Sequence, residues 1–259
     1  MGRLRVGVFG AGGRMGAEVS RAVAGDTELE LVAAVDPSCP GREESGVVIA
    51  AEPDAMLGAG AQVTVDFTVL AAARENLAWC ARHGVHAVVG TSGFTSDDLG
   101  DLERLFPTEG GVGCFIAPNF AIGAVLMMRF AELAAPWFDS AEIIELHHDA
   151  KVDAPSGTAA ATAARMAAAS DRWGSDPTKT ETLPGARGGA GPAGIRIHSV
   201  RLRGLVAHQE VLLGTAGQSL TIRHDSYDRS SFMPGVLMAV KAVADHPGVT
   251  VGLEHLLGI

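Results

Sequence analysis

Cysteine is scarce: three residues, Cys39, Cys80 and Cys114, stand far apart in a chain of 259. An odd, widely spaced set excludes a disulfide framework and a zinc knuckle. Cys114 lies in an apolar run of strand length and reads as core, with no neighbouring signature for a nucleophile. The pattern HExxH is absent, and the adjacent His147 and His148 would point to opposite faces of a strand, so no metal site is expected. No apolar run approaches the ~20 residues of a membrane span, and no basic segment followed by an apolar stretch and a small-residue cleavage site opens the chain. A cytoplasmic protein with no membrane partner is expected. Basic residues are also few, 20 Lys and Arg against 30 Asp and Glu, for a net charge of -10. That balance leaves no basic face for phosphate contact and excludes a general nucleic-acid binder.

What is present suits a globular protein: 47% hydrophobic and 19% charged residues, in a chain long enough for a cofactor domain and a smaller second domain. Residues 4–9 form an apolar run of strand length, followed at once by Gly10-Ala11-Gly12-Gly13-Arg14-Met15-Gly16. Residues 17–24 then read as a helix, and residues 29–35 as a second buried strand ending at Asp36, twenty positions beyond Gly16. Glycines there let the backbone turn sharply and approach a pyrophosphate, whose charge the opening N–H groups of a helix would meet. A tight turn serving only packing would also use glycine. With a strand before it, a helix after it and the acidic residue downstream, the cluster points to a dinucleotide site. Asp36 would accept hydrogen bonds from the adenosine ribose hydroxyls and repel a phosphate, which favours NADH. Pro37 adds no charge and Arg42 is the nearest downstream cation, while Arg14 could swing toward a ribose phosphate. NADH preference with some NADPH use is therefore expected.

Further strands are read at residues 63–66, 86–89 and 113–116, with a helix at 71–82. Two polar segments follow strand ends: Gly90-Thr91-Ser92-Gly93-Phe94 and Ala117-Pro118-Asn119-Phe120. In an open parallel sheet ligands lie beyond the carboxyl ends of the strands, so both segments fall where a nicotinamide half would sit, although ordinary strand-to-helix loops look similar. From Ala121 the texture changes. A helix at 121–135, a strand at 141–146, an alanine-rich helix at 157–169 and a flexible glycine-rich loop at 182–194 precede three segments, 195–201, 205–213 and 219–224, that alternate as an antiparallel set would. Residues 230–246 return to helix and are assigned to the first domain. The expected fold is α/β: a Rossmann-type parallel sheet domain, 1–118 plus 229–259, and a second α+β substrate domain, 119–228, with a largely antiparallel sheet. Arg229 and Phe232 fall near the junction, as a hinge, a nicotinamide contact or plain packing.

The run from Glu145 to Thr158, ELHHDAKVDAPSGT, concentrates two imidazoles, an ammonium and a helix start within fourteen residues. An imidazole exchanges a proton near neutral pH, a lysine holds a carboxylate, and free N–H groups opening a helix favour anions. His147, His148 and Lys151 would supply the local positive charge that a dicarboxylate needs against an acidic protein. His147 and Lys151, four apart, share a side of either a helix or a strand. Gly157 and the Thr158 hydroxyl would face an anion. A strand leaving the core through a polar loop, with Ser156 as a plain helix cap, would give a similar run.

Together these segments resemble dihydrodipicolinate reductases, the bacterial enzymes of diaminopimelate and lysine synthesis. The resemblance rests on GAGGRMG at Gly10 to Gly16, GTSGF at Gly90 to Phe94, APNF at Ala117 to Phe120 and HHDAKVDAPSGTA at His147 to Ala159, supported by GLVAHQEVLLGT and TIRHDS later in the chain. It implies reduction of a cyclic imine dicarboxylate by NADH or NADPH, with His147 as catalytic acid/base and Lys151 as its partner. His148, Gly157 and Thr158 would hold the substrate carboxylates. Gly10, Ala11, Gly12, Gly13, Arg14, Met15, Asp36, Gly90, Thr91, Ser92, Ala117, Pro118, Asn119 and Phe120 would line the cofactor site. It also implies a homotetramer assembled through the second domain's sheet. Asp149 and Ala150 stand where relatives often carry basic residues, which removes local positive charge while leaving His147 and Lys151 in place. Another two-domain NAD(P)-dependent dehydrogenase would share the glycine turn but not the histidine and lysine segment, and a dinucleotide-sensing protein would bind without turnover.

Overall fold

The computed structural model describes residues 2–259, which form two compact units: the residues up to Phe120 together with Arg229–Ile259, and Ala121–Asp228. The first unit opens with β1 (Leu4–Phe9), α1 (Arg14–Gly25) and β2 (Leu29–Val35). It continues through β3 (Glu43–Glu44), β4 (Val47–Ala50), α2 (Asp54–Gly58), β5 (Val63–Asp66), α3 (Leu70–His83), β6 (His86–Val89), α4 (Ser96–Leu105) and β7 (Gly113–Ile116). The second unit carries α5 (Ile122–Ala134), β8 (Ser140–His147), α6 (Gly157–Ala169), β9 (Gly189–Ala190), β10 (Arg196–Arg201), β11 (Ala207–Thr215) and β12 (Gln218–Ser226). After a 3-10 turn at Arg229–Phe232 the chain rejoins the first unit with α7 (Met233–Ala242), β13 (Gly248–Val251) and α8 (Glu254–Leu257).

The first unit is an eight-stranded sheet of order β13-β7-β6-β5-β1-β2-β4-β3, parallel throughout except for the edge pair β3 and β4. Its strands β5 and β7 are buried at every position, Thr64 and Asp66 of β5 included, because helices cover both faces of such a sheet. Helix α1 presents Gly16, Val19, Ser20 and Val23 to the core at the spacing of one helical face. It begins at Arg14, directly on the glycine turn and earlier than the apolar periodicity alone indicates. Several elements had no clear sequence signal, β3, α2 and α8 among them. Strands β4 and β13 are only four residues long, and α4 is a surface helix with one buried residue, Leu102. Its start is fixed by a capping box, in which the Asp98 amide donates to Thr95 Oγ1 at 3.2 Å and the Thr95 amide to Asp98 Oδ2 at 2.8 Å. The C-terminal stretch expected as one helix is divided, because Pro234 sits in the first turn of α7 and 3-10 turns flank that helix.

The second unit is a five-stranded sheet of order β12-β11-β8-β10-β9. Strands β11 and β12 form the expected antiparallel hairpin, and β11 also runs antiparallel to β8. Strand β10 corrects the reading of residues 195–224 as one antiparallel set. It skips β11 and pairs with β8 in parallel, Glu145 opposite Ser199 and His147 opposite Arg201. Helix α6 lies between the two strands in sequence and makes the crossover that parallel neighbours require. The glycine-rich segment is also more ordered than expected, since Glu181 accepts the Gly185 and Arg187 amides at 2.8 and 3.2 Å and Gly189–Ala190 pairs with β10. Along β8 the residues Ala141, Ile143 and Glu145 are buried, so a carboxylate occupies an inward position of the strand.

Candidate active site

In the first unit the carboxyl ends of β1, β2 and β5 open into a cleft of about 780 Å³, lined by Gly10, Gly13, Asp36, Ser38, Thr68 and Arg82 among others. The turn at its base is built from backbone. Gly10, at φ +67°, donates to the Val35 carbonyl at 2.8 Å, and the Gly13 amide donates to Gly10 O at 3.0 Å. A Cβ on Gly16 would stand 2.0 Å from Gly10 O, and one on Gly12 would stand 2.1 Å from Cys39 Sγ. No side chain caps α1, whose N-cap is the exposed Gly13, so no side chain competes for the amides of its first turn. Ala11 is buried beneath the turn, Met15 is half-buried and Arg14 is exposed.

Asp36 closes the turn. Its Oδ2 accepts the Gly12 amide at 3.0 Å, and its Oδ1 accepts the Ser38 amide at 2.9 Å and hydroxyl at 2.6 Å. Burial pushes its carboxyl up, but the hydrogen bonds from Ser38 and Gly12 and the charge of Arg42 outweigh that and hold it below its usual range. Arg42 reaches the same turn, with Nη1 3.5 Å from Gly12 O and Nη2 bonded to Glu44 at 3.2 Å.

At the ends of β5 and β6 the buried Asp66, which the sequence reading gave no role, ties two loops together. It accepts the Thr68 amide and hydroxyl at 2.7 and 2.6 Å, Asn76 Nδ2 at 2.7 Å and the Thr91 hydroxyl at 3.3 Å. The Phe67 ring lies so close over Gly90 that a Cβ there would meet it at 1.9 Å, and it packs on Phe120 with centroids 5.7 Å apart. Thr91 is buried and Ser92 exposed; at the end of β7, Ala117 and Phe120 are buried, Asn119 is half-buried and Pro118 exposed. A bare glycine turn, an uncapped helix start and a carboxylate at the second strand fit a dinucleotide, pyrophosphate on the turn and ribose at Asp36.

The second unit holds the titratable groups. His147 ends β8 and, two residues from Glu145, faces the same side of the strand. Its Nδ1 is 2.5 Å from Glu145 Oε2. Glu145 is wholly buried and receives a bidentate Arg201 pair, Nη1 to Oε2 and Nη2 to Oε1, both at 2.8 Å, plus the Ser156 amide at 3.2 Å. Arg201 Nη2 also donates to Asp153 O at 2.6 Å. Burial is the largest influence on the His147 pKa and lowers it; the charges of Lys151 and Arg201 act the same way, against the opposing pull of Glu145, and the net direction is down.

Lys151 leaves β8 on a loop rather than a helix, and its Nζ holds both carboxylate oxygens of the exposed Asp153 at 2.8 Å. Its charge acts on His147 and opposes protonation of the ring. His148 is exposed beside it, and Asp149 pairs with the exposed Arg203 at 3.0 Å. Ser156 caps α6 through Oγ, which accepts the Ala159 amide at 3.2 Å. Gly157 opens the helix into free space, with nothing within 4 Å of an added Cβ, and Thr158 follows it half-buried. His147, Lys151 and the start of α6 thus sit around one buried carboxylate, all within the second unit. The residues missed from sequence were Glu145 and Arg201. Their one signal was a charged residue at an inward position of an alternating strand.

Two family models cover nearly the whole chain: dihydrodipicolinate reductase, N-terminus, over residues 4–120, and dihydrodipicolinate reductase, C-terminus, over residues 123–257. A 4-hydroxy-tetrahydrodipicolinate reductase of Streptomyces coelicolor is 50% identical over 100% of both chains. One of Cutibacterium acnes is 53% identical over 99% of both. Among solved structures, a dipicolinate-bound dihydrodipicolinate reductase from Paenisporosarcina superposes with a TM-score of 0.87 at 41% identity, covering 98% of this chain and 99% of its own. Fold, motifs and end-to-end similarity agree, and the chain belongs to the dihydrodipicolinate reductase family.

Proposed function

We propose that this protein reduces 4-hydroxy-tetrahydrodipicolinate, through the cyclic imine diacid left by loss of water, to tetrahydrodipicolinate with NAD(P)H in diaminopimelate and lysine synthesis. The observation that carries the reading is the half-buried His147, held by Glu145 within the field of Lys151 and beside the open start of α6. A nicotinamide held by the first unit would supply the hydride, and the conjugated ring that receives it would carry negative charge delocalised toward its nitrogen. Protonated His147 gives its proton to the neighbouring carbon, completing the addition of two hydrogens. Lys151 and His148 neutralise substrate carboxylate charge, for which Lys151 must exchange Asp153 for the ligand. Gly157 and Thr158 offer the first-turn N–H groups of α6, Thr158 with its hydroxyl, to a second carboxylate.

We assign the unit of residues 1–118 plus 229–259 to the cofactor and residues 119–228 to substrate and assembly. Gly10, Ala11, Gly12, Gly13, Arg14 and Met15 would receive the pyrophosphate; Gly90, Thr91, Ser92, Ala117, Pro118, Asn119 and Phe120 the nicotinamide half. Asp36 supports a preference for NADH, and the cation Arg42 against Gly12 O leaves room for some NADPH use. A homotetramer built through the second sheet accords with its half-exposed Ile144, Leu146 and Leu212. A cytoplasmic location accords with the absence, among the described residues, of any helix long and apolar enough to cross a membrane. The test couples the protein to the synthase that makes its unstable substrate and follows NADH loss. Turnover by the wild type and its collapse in His147→Gln and Lys151→Ala are expected. Binding of NADH without turnover would assign the protein to dinucleotide sensing instead.

A further inference from the structure

A carboxylate with no exposed surface, on the inward face of a strand, is costly unless its lone pairs are filled. Those of Glu145 are filled by four donors from three directions: the Arg201 guanidinium from the parallel neighbour β10, the Ser156 amide at the start of α6, and Nδ1 of His147. Ser199 of β10 also hydrogen-bonds Glu145. From β11 the register brings Gln209 opposite Glu145 and Ala207 opposite His147, neither of them charged. Lys151 and Asp153 complete the charged surroundings from the loop.

We propose that Glu145, clamped by Arg201, is a positioning residue that keeps the His147 proton on Nδ1 and so makes Nε2 the nitrogen that exchanges a proton with substrate. The inference rests on the reading of His147 as the acid. Arg201 supplies no acceptor, so it commits Glu145 to remain an ionised acceptor, and an ionised acceptor can only receive N–H from His147. Neutral His147 is then the Nδ1–H tautomer with a bare Nε2, and the imidazolium adds its labile proton at Nε2. Because Arg201 already neutralises Glu145, the pair draws little extra positive charge onto the ring. The free protein therefore holds His147 mostly neutral at pH 7, and a bound dicarboxylate favours its protonation.

The unmodified protein tests this first. Nitrogen chemical shifts of labelled histidine, read above the titration of His147, should report the Nδ1–H tautomer; the Nε2–H tautomer would overturn the proposal. In Glu145→Gln, Arg201 retains the amide carbonyl, the amide NH2 faces Nδ1, and the tautomer should invert. Turnover should then fall about 100-fold with KM changed less than threefold, and the alkaline limb of the pH profile should move to lower pH. Arg201→Lys, which keeps the charge but loses the fork, should lie between. His147→Gln run in parallel separates the two claims. If it is inactive while Glu145→Gln keeps wild-type turnover, pH profile and tautomer, the positioning role is wrong. If His147→Gln itself turns over normally, the underlying assignment of the acid is wrong.

Discussion

The two units build their candidate sites from different materials. In the first, the candidate site is made of backbone: Gly12 and Gly16 leave no room for a Cβ, Gly10 takes a positive φ, and Asp36 and Asp66 act mainly to fasten loops. In the second, the candidate site is made of side-chain charge: Glu145 and His147 on β8, whose other inward positions are apolar, with Arg201 from β10 in contact with Glu145 and Lys151 acting on His147 from the following loop. A backbone site is sensitive to added atoms and recognises what many dinucleotide proteins recognise. A side-chain site is sensitive to removed charges and defines the reaction.

That contrast can be broken in order of expected effect. The largest loss belongs to the charges: His147→Gln should lower kcat by about 100- to 10,000-fold, and Lys151→Ala by about 100-fold, with melting temperatures near wild type. Steady-state NADH oxidation beside thermal unfolding checks both, and a collapse of stability instead would make the second site structural. Next comes an added methyl in the first unit. Gly16→Ala forces its Cβ against Gly10 O and should cost about 1–3 kcal/mol of stability and at least tenfold in NADH affinity, read by calorimetric titration.

Acidity gives the third test. In the proposed mechanism the competent form of His147 is the protonated one, and its folded pKa lies below the ordinary 6.5. The kcat/KM profile should therefore be full at low pH and fall about tenfold per unit once pH passes that lowered value. The kcat limb should lie higher, because a bound dicarboxylate favours the imidazolium. Coincident limbs would mean that His147 does not sense the substrate charge. Asp36→Ala should follow, moving the ratio of NADH to NADPH use about tenfold, equivalent to ~1.4 kcal/mol, toward NADPH. The smallest effect is a control: Thr95→Ala removes the cap of α4, should cost about 1 kcal/mol in unfolding, and should leave both KM values unchanged.

Much of the architecture was legible because the parallel strands are mostly apolar and the glycine turn is a local code. Residues 63–66, 86–89, 113–116 and 157–169 are the elements observed, residue for residue. Pairing was less legible. Nothing in residues 195–201 says that their neighbour is β8 rather than β11, since strand alternation records burial and not partner or direction. His147 and Lys151 stand out as types, whereas Glu145 and Arg201 matter through a contact between residues 56 positions apart, which only folding brings together. Strands β4 and β13 are no shorter than β5, β6 and β7, but each is buried at only one position of four, so neither carries the continuous burial that marks those three.

The pairing of β13 with β7 also sets an order of events during synthesis. A ribosome releases β7, then every strand of the second sheet, and only afterwards the strand that completes the first. At ordinary translation rates the roughly 130 residues between them keep that edge unpaired for on the order of ten seconds. The nascent chain thus exposes a hydrophobic strand edge, open to pairing with other chains, while its second unit is already whole. Loss of the last few dozen codons would leave that edge permanently bare.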